Sequence, residues 1–210
     1  MSFRYLFGPV TAAFAAEHLA GSRQAGACLA FDAAGTTDLA IATDDTWETI
    51  TSRLPAGWQP DFVALNLAYT TIPAGLWQAP VPLVGLAADT NLLWHGYRRL
   101  LPRCDVILTD ACSVDRLHRA GLAQARPANL YGLGRPFLEQ VPRAAERDID
   151  ILFVGNLHAA VQRERLPWLG RLARLAGRWR VQIRTGVFGD AYRDLLGRAR
   201  LIFNNDPISH

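Results

Sequence analysis

The chain has 210 residues, half of them apolar and a fifth charged, with a formal net charge of +3 and a pI near 9.0. That length can bury a real core in one large or two small domains. The basicity is mild and comes without a dense basic run, so no nucleic-acid partner is expected. All 22 basic side chains are arginine, which reads first as base-composition bias in the coding sequence and second as a preference for bidentate anion contacts. No apolar run approaches the roughly 18–20 residues that cross a bilayer, so no transmembrane segment is expected. Met1–Ala16 imitates a signal peptide, but Gly8-Pro9 interrupts it and Glu17-His18 follows at once; strand, loop and helix fit better. Cys28, Cys104 and Cys112 are odd in number and lack C-x-x-C spacing, the pattern of reduced, mostly buried thiols in a cytoplasmic protein.

In chain order, strand-length apolar runs alternate with helical patterns. Phe3–Phe7 predicts a strand ended by Gly8-Pro9, with a helix from about Thr11 to Ala20, and Ala27–Phe31 predicts a second strand. Thr46 suits the N-cap of a helix through Leu54, with Glu48 in its first turn. Phe62–Leu67 and Val81–Ala87 are further buried runs, followed by a helix from about Asn91 to Leu101 and a strand at Asp105–Thr109. Ser113 is the expected cap of the next helix, Gly121 its C′ stop, and Ala128–Tyr131 a last short strand. Continuous apolar character means that both faces are covered, which predicts a mostly parallel sheet.

Gly132, Gly134, Pro136 and Pro142, with the charged Arg143–Asp148, break the rhythm and predict a linker over 135–148 between lobes at 1–134 and 149–210. The alternation then restarts: strand Ile149–Val154, helix Arg163–Ala176, strand Arg180–Arg184, helix Asp190–Ala199, strand Leu201–Phe203. The fold class is α/β, with two Rossmann-like, doubly wound parallel-sheet lobes. The second is expected to be incomplete, because its last strand runs into Asn204-Asn205-Asp206-Pro207 and stops at His210 with no closing helix. Within it, the apolar run to Val154 stops at Gly155-Asn156 and feeds an arginine-bearing helix, the arrangement by which α/β proteins cradle a phosphate. Arg163 or Arg165 could clamp a pyrophosphate; the two cannot face one way on a helix, so at most one is a ligand, and either could instead be solvated or structurally paired.

Three segments resemble GT-B-type glycosyltransferases of the group 1 and spore-maturation, CgeB-like kind. They are Pro60-Asp61-Phe62-Val63-Ala64-Leu65-Asn66; Asp105-Val106-Ile107-Leu108-Thr109 with Leu117 and Gly121; and Asp150–Asn156 with Arg163, Arg184-Thr185-Gly186 and Leu201–Asn204. The resemblance spans nearly the whole chain through loose motifs. It implies transfer of a sugar from a nucleotide-sugar donor to an unknown acceptor, with no bound metal and no cofactor. The family's carboxylate-bearing segment that holds the sugar nucleotide, which usually follows the "F-N" strand, is absent.

On that resemblance Gly155, Asn156, Arg163, Arg165 and Gly186 are the donor-side candidates. In a parallel sheet ligands bind outside the carboxyl ends of the strands, which puts Gly8, Pro9, Asn66 and Thr109 on the acceptor side. Asp89 is there too, as the catalytic base or as the N-cap of the helix near Asn91. Asp148-x-Asp150 enters a strand, where it is expected to cap the linker or pair with Arg147 instead of holding a metal. Gly132-x-Gly134 is expected to be hinge, and His95 a half-buried structural histidine. Trp77, Trp94 and Tyr97 could stack on a sugar or belong to the core. Two other classes stay open: a non-enzymatic two-lobed small-ligand (sugar) module, and a catalytically silent scaffold relative.

Overall fold

The computed structural model describes residues 3–130, 139, 141–142, 146–157 and 165–204. The chain separates into two compact units, Met1–Tyr131 and Gly132–His210. The linker at 135–148 and the Gly132-x-Gly134 hinge lie largely or wholly outside the described residues.

The first unit is built on a seven-stranded sheet of β1 (Tyr5–Gly8), β2 (Cys28–Asp32), β3 (Leu39–Ala40), β4 (Phe62–Asn66), β5 (Leu83–Ala87), β6 (Val106–Thr109) and β7 (Ala125–Pro127), in the order β3-β2-β1-β4-β5-β6-β7. Every pairing is parallel. Between the strands come the helices α1 (Ala12–His18), α2 (Ala20–Gln24), α3 (Trp47–Ser52), α4 (Thr90–Leu100) and α5 (Ala111–Arg119). Alternate residues of one strand serve opposite faces. Leu6 and Phe31 join the large core with Ile50, Leu65, Tyr97, Ile107 and Leu117, whereas Cys28 and Ala30 pack with Val10, Ala15 and Leu19. Full burial of each large apolar side chain contributes about 1.5–3 kcal/mol. Strand order reverses between β1 and β4, which makes their carboxyl ends the switch point of the sheet.

Local chemistry accounts for several boundaries. Thr11 and Thr46 cap α1 and α3 by accepting from the amides of Phe14 and Thr49, each at 3.2 Å. For α5 the cap is Asp110, not Ser113. The Asp110 carboxylate accepts from the Ser113 amide at 2.9 Å and from its hydroxyl at 2.8 Å, so the cap lies three residues before the predicted serine. Gly121 follows α5 at φ 86°. The strand expected at Ala128–Tyr131 lies instead at Ala125–Pro127, where pairing with Ile107–Thr109 fixes it. β3, α2 and a 3-10 turn at Ala74–Gln78 were not expected.

The second unit holds a three-stranded parallel sheet of β8 (Ile149–Val154), β9 (Val181–Arg184) and β10 (Ala199–Ile202), in the order β10-β8-β9, with helices α6 (Arg165–Ala173) and α7 (Gly189–Arg198). One face of β8 gives Phe153 and Ile151 to Leu169 and Leu172 of α6. The other gives Leu152 and Val154 to a cluster with Leu195 and Leu196 of α7. Helices on both faces of a parallel sheet make each unit an α/β layer structure of Rossmann-like design. No described helix is long and apolar enough to cross a membrane.

Candidate functional site

The carboxyl ends of β1, β2, β4, β5 and β6 bring several polar side chains to one edge of the first sheet. Gly8 closes β1 where no side chain fits: a Cβ there would come within 2.5 Å of the Phe31 carbonyl oxygen. That same carbonyl accepts the Val10 amide at 3.0 Å, which pulls the Gly8-Pro9 turn, a cis peptide, against β2. Across the switch point, Asn66 Nδ2 donates to the Pro9 carbonyl at 3.3 Å. Gly8, Pro9 and Asn66 therefore form one junction.

Asn66 also starts the loop that places Tyr69. The Thr70 hydroxyl donates back to the Asn66 carbonyl and closes the turn. Tyr69 sits in that turn at φ 58° with 69% of its surface exposed. After the neighbouring strand, Asp89 stands at φ 50°. These are the two non-glycine residues at positive φ among the described residues, and they touch: the Tyr69 hydroxyl donates to Asp89 Oδ2 at 3.1 Å. Positive φ costs an L-residue conformational energy, so it persists where surrounding structure imposes it. Asp89 does occupy the N-cap position of α4, its carbonyl accepting from Leu92 and Leu93, but its carboxylate makes no capping bond. The N-cap expectation is met by the backbone alone, while the side chain is exposed.

The rest of the edge is structural. Thr109 is buried, and its hydroxyl donates to the Ala87 carbonyl at 2.7 Å, tying β6 to β5. Thr90 and Ser113, also buried, place their hydroxyl oxygens 2.5 Å apart and join the first turns of α4 and α5. Tyr97 is core, with its hydroxyl donating to the Ala88 carbonyl at 2.7 Å. Trp77 and Trp94 pack on the rim of the core, with Arg103 lying over the Trp77 ring at 4.3 Å. His95 is exposed, not half-buried, because α4 turns that face to solvent.

Asp32 was missed by sequence reasoning. It ends β2 nearly buried and accepts four hydrogen bonds from the loop that follows. Ala34 and Thr36 amides reach Oδ1 at 2.6 and 3.2 Å; the Thr37 amide and Thr36 hydroxyl reach Oδ2 at 2.7 and 3.0 Å. Burial alone would raise its pKa, but the bonds from Thr37, Thr36 and Ala34 outweigh that and hold the carboxyl down at about 2. An acidic residue at this place could have served a ligand; here the loop uses it. The spacing Asp32-x-Ala34-x-Thr36-Thr37 was the available signal.

In the second unit, Gly155 follows β8 and donates its amide to the Arg184 carbonyl at 3.1 Å, so that N–H completes the sheet. A Cβ at Gly155 would meet the Phe153 ring at 2.8 Å. Arg165 Nη1 donates to the Asn156 carbonyl at 3.0 Å, and its guanidinium lies 5.6 Å from the Phe153 ring centre. Gly155, Asn156 and Arg165 are therefore one neighbourhood. Gly186 stands at φ 68° in the turn after β9. Arg163 lies outside the described residues.

Asp148 and Asp150 are paired, though not with Arg147. Arg198 donates to both oxygens of Asp148, at 2.9 and 2.5 Å. Asp150 takes the Arg180 amide at 2.9 Å and its Nε at 3.3 Å, with Arg200 at 3.5 Å. The Arg198 side chain lowers the pKa of Asp148; the Arg180 amide, then its side chain, lower that of Asp150. The two carboxylates are taken up by arginines at the end of α7, just before β9 and within β10, and so serve the sheet. Among the described residues no group of three His, Cys, Asp or Glu side chains could hold a metal ion.

Fold and site together define an α/β protein of Rossmann-like design with a polar edge at the sheet's switch point. No family model, curated protein or solved structure matches the chain.

Proposed function

We propose that this chain belongs to a metal-independent, nucleotide-sugar-dependent glycosyltransferase of the GT-B type. The observation that carries the reading is Asp89, a residue at φ 50° beside the switch point whose exposed carboxylate makes no capping bond to its own helix. Two Rossmann-like sheets in series support it, as does the strand, glycine and helix sequence of the second unit.

Glycosyl transfer develops positive charge at the sugar and negative charge on the departing diphosphate, while the acceptor hydroxyl must lose a proton. In this reading Asp89 takes that proton as general base. Asn66, Gly8 and Pro9 shape the acceptor side, with Thr109 behind them. Gly155, Asn156, Gly186 and Arg163 or Arg165 belong to the donor side, where a guanidinium offsets diphosphate charge.

The test is calorimetric titration of UDP, GDP and TDP sugars into the product of the whole reading frame that encodes this chain. The reading requires binding of one donor class, weakened by Arg163→Ala or Arg165→Ala, and transfer lowered by Asp89→Asn with donor binding kept. Absence of any nucleotide-sugar binding would sink it. One observation favours a second reading, a non-enzymatic two-lobed sugar-binding module. The Gly155 amide, which a phosphate cradle needs, is bonded to Arg184. That alternative predicts saccharide binding with no nucleotide requirement.

A further inference from the structure

We infer that Tyr69 and Asp89 act as one recognition pair for a polyhydroxylated, uncharged ligand, a saccharide ring, at the carboxyl edge of the first sheet. The inference deepens the acceptor side of the transferase reading and rests on it for the ligand's role in catalysis, but not for its binding.

Three observations converge. The two residues follow adjacent strands, β4 and β5. Both hold left-handed backbone angles, 58° and 50°, which an aromatic residue in particular adopts at a conformational cost. And the strain ends in a contact between them, the Tyr69 hydroxyl on Asp89 Oδ2 at 3.1 Å. Neither side chain is recovered as core. Tyr69 is the second most exposed aromatic after Phe3 among the described residues of the first unit, and Asp89 is exposed as well.

What the pair offers is specific in chemistry. The Tyr69 hydroxyl fixes one carboxylate oxygen, and Oδ1 accepts no hydrogen bond among the described residues. A fixed carboxylate accepts well from hydroxyl groups. The exposed phenol ring beside it presents an apolar face with a polar tip. An apolar face next to an oriented acceptor matches a pyranose, whose C–H face is apolar and whose rim carries hydroxyls. An anionic ligand would meet the carboxylate's like charge, and a purely apolar one would leave it unpaired. Tyr69 is then a binding residue and also a positioning residue for Asp89.

The experiment is saturation-transfer NMR and titration with methyl glucoside, methyl galactoside and methyl mannoside, without nucleotide. Wild type should bind at least one. Tyr69→Ala should weaken binding about fivefold to tenfold through loss of the ring, and Asp89→Asn about tenfold through loss of the charged acceptor. Tyr69→Phe, which keeps the ring, should fall between wild type and Tyr69→Ala. Glycine at either position relieves the backbone, so Tyr69→Gly and Asp89→Gly should keep or raise the thermal midpoint while losing binding, which separates function from folding. The inference is overturned if wild type binds none of the three glycosides, or if Tyr69→Ala and Asp89→Asn bind them as wild type does. Glycoside binding that depends on the pair, with no nucleotide-sugar binding, would uphold the inference and defeat only the transferase reading.

Discussion

Replacing Asp32 by asparagine tests whether one carboxylate organises the loop after β2. Asparagine keeps an oxygen for the Ala34 and Thr36 amides but presents an NH₂ to the Thr37 amide, two donors face to face. Losing charge-assisted bonds and leaving a donor unmet costs about 2–3 kcal/mol. Linkage gives a second route to the magnitude. The folded carboxyl titrates at about 2 against 3.8 for a free aspartate. Unscreened, that gap corresponds to about 2.4 kcal/mol, and solvent at the loop surface reduces it to about 1–2 kcal/mol. We expect Asp32→Asn to destabilise by about 2 kcal/mol near neutral pH. Because the folded value is the lower one, the contribution is complete above the free value of 3.8 and is lost as pH falls toward about 2. A protonated Asp32 has the same donor problem as asparagine, so roughly half the difference should vanish by about pH 3. Urea unfolding followed by tryptophan fluorescence across that pH range measures it. Peptide-resolved hydrogen exchange over 28–41 assigns the loss to the loop. A cost below about 0.5 kcal/mol, or one that does not change between neutral pH and about pH 3, would refute the reasoning.

Other outcomes follow from the same geometry. Gly8→Ala drives a methyl group into the Phe31 carbonyl and should cost about 1–3 kcal/mol in urea unfolding. Thiol labelling at mildly alkaline pH should modify Cys112 first, because it is exposed. Burial holds Cys28 at about 11 and Cys104 at about 12, so both should label only on unfolding. Asp148→Asn with Asp150→Asn should speed hydrogen exchange in β8, β9 and β10. In the wild type the same loosening should set in as pH falls below the free carboxylate value of 3.8, since both folded values are depressed. Manganese or magnesium should leave the thermal midpoint unchanged in either protein.

The fold was legible where burial on both faces wrote itself into the chain. Ile149–Val154 matches β8 residue for residue, because a central parallel strand needs continuous apolar character and a glycine ends it. The Thr46 cap was legible for the same local reason, a hydroxyl placed before a helical pattern. Where two signals competed, sequence could not choose: Asp110 and Ser113 are three residues apart and both cap well, and only the backbone shows that aspartate receives the serine's amide and hydroxyl. β3, at two residues, is too short to carry a period. The strand at Ala125–Pro127 is set by its neighbour, while the more apolar Ala128–Tyr131 attracted the prediction. At the carboxyl edge of the first sheet, the positions of Asp89, Asn66 and Gly8 were legible because each closes or follows a parallel strand. Tyr69 was not, since a left-handed tyrosine leaves no mark on composition or spacing. Asp32 left only the weak signal of its spacing to Thr36 and Thr37, because its partners are mostly backbone amides, which every residue but proline has.

The pairing of four aspartates with guanidinium groups has a consequence for how the protein meets its surroundings. Arg23 holds Asp38, Arg53 holds Asp45, Arg198 holds Asp148 and Arg180 holds Asp150. Guanidinium keeps its proton through any pH at which the chain survives, so alkali has no grip on these contacts and acid has it all, through the carboxylates. With no lysine in the sequence, amine-directed acylation and crosslinking find no side-chain target. These four pairs can be loosened from one side of the pH scale only.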